Sequence, residues 1–211
     1  MTQISRWDHL KGFEPLLEAF VHLKQSIGTR ALSDRHRRRL SRLRLVLAGP
    51  DPAAVADDPE AQDVLRDLIG TYTRLPHWLQ EDVAILSLPM GSREKNALMV
   101  NSLQRCSSTV VQNSLREGFG LTVTEAMWKQ CSVVGSRACG IRQQIRAGVD
   151  GHLIDDCEDP VEIASLLDET LDDLPGRVRH GQSAQRRVHT DFLVFTQVRR
   201  WLEVIADQVA R

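Results

Sequence analysis

Two carboxylates, Glu117 and Glu125, stand with seven residues between them around the turn Gly118-Phe119-Gly120-Leu121-Thr122. Glycine on either side of Phe119 lets the backbone approach a ligand with no side chain in the way. A helix opening at such a turn presents unpaired N–H groups and the positive end of its dipole, a natural seat for an anion. The dipole contributes only about 0.3–1 kcal/mol, or ~2 kcal/mol when partly buried. That is too little to hold a diphosphate, so cationic side chains must converge on the same place. Arg6 and Lys11 lie in Ser5-Arg6-Trp7-Asp8-His9-Leu10-Lys11-Gly12, after the first expected strand and before the first expected helix. One offers a planar fork and the other a compact charge, and both suit phosphate oxygens. A carboxylate accepts from two vicinal hydroxyls, each charge-assisted bond contributing roughly 1.5–3 kcal/mol. Glu117 and Glu125 therefore suit a ligand in which a sugar, phosphates and a ribose follow one another.

A plainer reading stands beside this one. Thr122-Val123-Thr124-Glu125 has the pattern of a capping box, in which Glu125 only starts a helix. Glycine turns before helices are also common packing devices, and two cations in an early loop are commonly surface residues.

The elements that must hold these residues follow from hydrophobic spacing. Strands are expected at 2–5, 43–48, 83–88, 109–112, 132–135 and 151–154, where short β-rich runs occur. Helices are expected at 15–27, 59–72, 95–106, 122–129 and 141–147, with three more to the end of the chain. Pro59 fits a first helical turn. Strand and helix alternate without hairpin signals, which predicts an α/β fold: a doubly wound parallel sheet with helices on both faces. In such sheets ligands bind where strand carboxyl ends meet helix N-termini, and both candidate loops sit at such junctions. Residues 1–190 are expected to form this Rossmann-like domain and 191–211 a C-terminal helix. Phe192, Phe195, Trp201, Leu202 and Ile205 of that helix are expected to pack against the sheet, or to cross to another domain.

Composition narrows the function classes. The chain has 211 residues, 42% hydrophobic and 26% charged, with a formal charge of −1. That fits an ordinary globular domain and gives no global field for nucleic acid or membrane. The basic run at 35–39 reads as a solvated polar connector. No apolar run nears the ~20 residues that span a bilayer, and the first residues lack a signal peptide's pattern. Cys106, Cys131, Cys139 and Cys157 form no CxxC pair; they read as reduced, mostly buried thiols of a cytoplasmic protein, with no metal.

The block at 116–128 resembles the E-x7-E signature of retaining, two-Rossmann-domain glycosyltransferases of family 4, in its trehalose synthase and trehalose phosphorylase branch. The loop at 5–12 is similar to that branch's Ser-Arg-Phe-Asp-x-x-Lys-Gly. Asp57-Asp58-Pro59-Glu60, the run at 100–107 and Gly151-His152-Leu153-Ile154 resemble it too. Departures are Cys139-Gly140-Ile141 in place of Gly-Gly-Ile, and Lys129-Gln130-Cys131-Ser132-Val133 in place of Lys-Gly-Lys-Pro-Val. Cys139 is expected near the donor.

The resemblance implies the nucleotide-sugar-binding, C-terminal half of a GT-B enzyme that moves glucose from a nucleoside diphosphate to glucose. A phosphorylase half, or a binding domain without turnover, is the alternative. It implies Arg6 and Lys11 on the diphosphate, with the backbone of Gly118, Phe119, Gly120, Leu121 and Thr122 beside them. It further implies Glu117 on the hexose and Glu125 on the ribose. No cofactor is implied. The implied partners are a nucleotide sugar, a sugar acceptor and a preceding N-terminal glycosyltransferase domain, and a homodimer is compatible with it. The isolated chain is expected to lack turnover.

Overall fold

The computed structural model describes residues 1–54 and 60–209. Six strands form one parallel sheet: β1 Thr2–Ile4, β2 Leu45–Pro50, β3 Val83–Leu88, β4 Val110–Gln112, β5 Val133–Ser136 and β6 His152–Ile154, in the order β3-β2-β1-β4-β5-β6. The helices are α1 Phe13–Ser26, α2 Asp34–Ser41, α3 Glu60–Thr73, α4 His77–Gln80, α5 Arg93–Cys106, α6 Leu121–Trp128, α7 Cys139–Gln144, α8 Pro160–Asp172, α9 Leu174–Asp191 and α10 Val194–Val209.

Period-two alternation in the strands dictates the layering. Leu45 and Leu47 of β2, Val111 of β4 and Val134 of β5 face a core shared with α1, α3 and α8. On the reverse face, Val110 and Val133 pack on α6, α7 and α9, while Ile4, Ala48 and Leu88 pack on α5. Both faces are covered, as the sequence predicts. Asp57, Asp58 and Pro59, part of the resembling segment and the predicted helix start, lie outside the described residues.

Four expectations change. The run at 35–39 is not a connector but part of α2, with His36 and Leu40 buried on its inner side. His36 Nε2 lies 2.7 Å from Asp168 of α8, and Arg39 donates to the carbonyls of Leu171 and Asp172 at that helix's C-terminus. The periodicity is diluted by five basic residues, of which only His36 is buried, and the outward arginines mask it and the neighbouring Leu40. Helix α7 stops at Gln144 because Ile145 is already extended (φ −96°, ψ 119°). Only Cys131 is buried, whereas Cys106 and Cys139 are exposed; all four are free thiols. Finally, α10 does not pack on the sheet. Phe195 is 81% and Trp201 61% exposed, and of the named residues only Phe192 joins a core, beside α9.

β1 lies at the centre of the sheet, where the winding reverses: chain leaving β1 and chain leaving β4 pass to opposite faces and open a crevice between them. Both candidate loops leave from those two strand ends. They are stitched together. Leu115 N–H donates to the Leu10 carbonyl at 2.8 Å. Gln3 of β1 donates to the Lys11 carbonyl (2.6 Å) and accepts from Asn113 N–H (2.8 Å). Asn113 in turn donates to the Gly12 and Cys157 carbonyls at 3.1 and 2.9 Å.

Gly12 caps α1 in the left-handed region (φ 59°), and a Cβ there would stand 2.1 Å from the Asn113 carbonyl oxygen. Left-handed strain and overpacking together amount to about 2–4 kcal/mol. Gly12→Ala is therefore expected to lower the urea-derived unfolding free energy by that amount; a loss below about 0.5 kcal/mol contradicts the seam.

Candidate functional site

Two clefts open at the carboxyl end of the sheet. The first, about 510 Å³, is lined by Arg6, Asp8, Leu10 and Lys11 after β1, Leu115, Arg116, Glu117 and Gly118 after β4, and Cys139 of α7. The second, about 620 Å³, lies between α5 and α6. Ile4, Leu88, Met90 and Val100 supply its apolar wall, and Ser5, Arg93, Thr122, Glu125 and Lys129 its polar groups. Gly118 lines one cleft and Thr122 the other, so the glycine turn passes from the first to the second.

Lys11 and Glu117 meet across 106 residues of sequence, Nζ to Oε2 at 2.8 Å, with side chains only 12% and 18% exposed. An ammonium carries three donors and a carboxylate two oxygens; each partner therefore keeps capacity for a ligand while staying paired. Arg6 sits more openly, its Nη2 3.5 Å from Asp8. Formal charge separates the sites. The first cleft holds Arg6, Lys11 and Arg116 against Asp8 and Glu117. A neighbouring hollow of about 290 Å³ is lined by Asp8, Glu14, Asp67 and Glu158 with His9, and four carboxylates repel a phosphate.

The turn itself leaves backbone amides at the start of α6 unpaired among the described residues. Gly120 caps α6 at φ 88° with no side-chain cap. Among the described residues, the backbone amides of Gly120, Leu121 and Thr122 donate no hydrogen bond. The capping box is not formed: Thr122 Oγ1 donates instead to Gln112 Oε1 (2.8 Å), and Glu125 is exposed along the second cleft. Nearby, burial lowers the Lys129 pKa, an effect that Glu125 opposes. Lys129 donates to Gln104 Oε1.

Of the sequence-predicted residues, Arg6, Lys11, Glu117 and Gly118 line the first cleft and Thr122 and Glu125 the second, so the two glutamates line separate clefts rather than one; Phe119, Gly120 and Leu121 lie in the turn between and line neither. Sequence reading missed the buried polar groups beneath it. Gln112, at the end of β4, donates to Ser5 Oγ (2.7 Å) and Ser114 Oγ (2.8 Å), tying both loops to α6. Gln144 of α7 donates to the carbonyls of Phe119 and Gly120. For Gln112 the signal available was a glutamine ending the apolar run of a strand; Gln144, in Cys139-Gly140-Ile141-Arg142-Gln143-Gln144, carried no local signal. Gly140 packs so closely that a Cβ would lie 2.5 Å from the Gly118 carbonyl oxygen, and its N–H donates to the Glu117 carbonyl at 2.9 Å. The Gly140 half of the expected Gly-Gly pair is thus required by contact. Cys139 stands at the cleft, as expected. Among the described residues, no group of three or more His, Cys, Asp or Glu could hold a metal ion.

The sequence model of glycosyl transferases group 1 matches residues 1–187. The chain belongs to this family. It is similar to the trehalose synthase of Thermococcus litoralis, 31% identical over 209 residues that cover 97% of this chain and 43% of that protein. It is also similar to the trehalose phosphorylase of Pleurotus pulmonarius, 27% identical over 154 residues covering 72% of this chain and 19% of that protein. HepE of Anabaena, solved in complex with UDP and glucose, shares the fold: TM-score 0.71, 22% identity, covering 98% of this chain and 47% of that one. This group 1 chain thus has the Rossmann-like fold of one half of a GT-B glycosyltransferase, with a six-stranded parallel sheet and a C-terminal helix. It spans less than half the length of the trehalose synthase it matches. No helix among the described residues is long and apolar enough to cross a membrane.

The loop that follows α7 is clamped by a carboxylate. Asp150, fully buried, accepts from Arg146 at 2.6 and 2.8 Å and from Ser183 of α9 at 2.8 Å. Burial alone pushes its carboxyl up, but hydrogen bonds from Arg146 and Ser183 outweigh it and hold the pKa below the ordinary 3.8. The contribution is therefore complete above that unfolded value and is lost as pH falls through the folded one. Asp150→Asn is expected to cost about 2–3 kcal/mol at pH 7. The gap between wild type and variant should close below about pH 4; thermal melts showing a gap independent of pH contradict this.

Proposed function

We propose that this chain is the donor-binding half of a retaining glucosyltransferase that moves glucose from a nucleoside diphosphate-glucose to glucose, forming trehalose. The observation that carries the reading is the convergence of the Lys11–Glu117 pair with three undonated amides of the α6 turn, between two clefts. Its likeness to trehalose synthases over nearly the whole chain supports the reaction class.

In this reading the nucleoside occupies the larger cleft, its ribose diol on Glu125 and its base along the apolar wall of Leu88, Met90 and Val100. The diphosphate spans the turn. When the bond between the anomeric carbon and the distal phosphate oxygen breaks, charge grows on that oxygen while the sugar becomes oxocarbenium-like. Lys11, Arg6 and the amides of Gly120, Leu121 and Thr122 stabilise that charge, an effect strongest where water is excluded. Glu117, already fixed by Lys11, turns its second oxygen to a hexose hydroxyl. The acceptor hydroxyl then attacks from the face the diphosphate leaves and passes its proton to the departing phosphate oxygen, which gives retention.

Phosphorolysis of trehalose would use the same anion seat with inorganic phosphate. The nucleoside-sized second cleft, joined to the first by the turn, favours the nucleotide donor. The remaining length of the relatives would supply the acceptor side, and the apolar face of α10 is available to meet it.

Calorimetry with uridine and adenosine diphosphate-glucose tests the donor site. Glu125→Ala should weaken binding at least tenfold, about 1.4 kcal/mol; unchanged affinity removes the ribose role. Arg6→Ala combined with Lys11→Ala should weaken diphosphate ligands far more than glucose, and equal losses contradict the assignment. The pure 211-residue chain should bind donor yet form no trehalose; robust synthesis by it overturns the half-enzyme reading.

A further inference from the structure

We propose that Gln144 is a positioning residue that aims the backbone amide of Gly120 at the donor diphosphate, a role that rests on the donor-binding reading above. Gln144 ends α7 and is fully buried. Its Nε2 donates to the carbonyls of Phe119 and Gly120, the latter at 3.3 Å, and its Oε1 accepts from Thr124 Oγ1 at 2.5 Å. Two carbonyl oxygens can only be served by a donor, and so the carboxamide has one orientation here.

The consequence comes from peptide geometry. In a planar trans unit the carbonyl and the N–H point in opposite directions, and no described peptide is cis. The Phe119 carbonyl shares its unit with Gly120 N–H, and the Gly120 carbonyl shares its unit with Leu121 N–H. Drawing both oxygens onto Gln144 turns both N–H groups away from it, and neither donates elsewhere among the described residues. Gly120, at φ 88°, imposes little steric preference on the peptide units flanking it. The Gly120 carbonyl also accepts Val123 N–H at 3.0 Å at the start of α6, whereas the Phe119 carbonyl is held by Gln144; without Gln144 the Phe119–Gly120 unit loses the contact that selects its direction.

Gln144 is itself braced. Arg187 of α9 donates to the Gln144 and Gln143 carbonyls at 2.6 and 2.8 Å, and Gly140 joins α7 to the Glu117 carbonyl. Gln144 touches no ligand in this reading; it acts through the turn. A glutamine that merely filled a polar gap would affect stability and all ligands alike, whereas a positioning residue affects the distal phosphate selectively.

The test titrates the 211-residue chain by calorimetry with UDP and UMP, and with ADP and AMP. The Gln144→Leu variant is expected to lose at least tenfold in diphosphate affinity, with the diphosphate-to-monophosphate affinity ratio shrinking at least fivefold. Should Gln144→Leu fail to fold, Thr124→Val serves, because it keeps the glutamine and removes the hydroxyl that orients it. Its ratio should shrink at least threefold. An unchanged ratio in a folded variant, with wild type binding normally, overturns the positioning role and leaves the donor site standing. Wild type that binds neither diphosphate overturns the donor reading, and the positioning role with it.

Discussion

The site depends on one juxtaposition: the loop after β1 held against the loop after β4 at the centre of a parallel sheet. Parallel pairing sets the strand ends side by side, and reversal of the winding there leaves a crevice rather than a packed helix. The Lys11–Glu117 pair closes that crevice from opposite loops. Being mostly buried, neither charge can lose its partner cheaply; breaking such a pair costs several kcal/mol. A ligand must therefore add to the pair rather than replace it, and the geometry leaves each partner a donor or acceptor to spare.

Rigidity comes from neutral polar groups beneath the charges. Gln3, Gln112, Asn113 and Gln144 are all buried, and their amide groups bridge backbone and hydroxyl groups of neighbouring elements. Amides suit this work because each donates and accepts at once without the desolvation cost of an ion. Charge is distributed unevenly, with cations in excess along the first cleft and carboxylates gathered in the hollow behind Asp8.

Much of this was legible in the sequence. Short β-rich runs such as 43–48 and 109–112 located the strands, and their alternation with helices indicated a parallel sheet covered on both faces. Glu117, Glu125, Arg6 and Lys11 were singled out by their place beside strand ends together with the resemblance, since the residue types alone read equally as a helix cap and surface cations. What was hidden depends on distance in three dimensions. Nothing local indicates that Gln144 serves carbonyls of a turn 24 and 25 residues earlier, or that Thr122 bonds Gln112 rather than capping its own helix. The inward members of α2 were obscured by arginines beside them. The apolar face of α10 was legible as amphipathic, but its partner is not on this sheet.

The central claim is that a diphosphate docks where Lys11, Glu117 and the α6 turn converge. Amide chemical-shift mapping of the 211-residue chain during titration with uridine or adenosine diphosphate-glucose tests it most directly. The account predicts the largest saturable shifts at Gly120, Leu121 and Thr122, with smaller ones along residues 6–11. Shifts centred on the hollow of Asp67 and Glu158, or none at saturating donor, would contradict it.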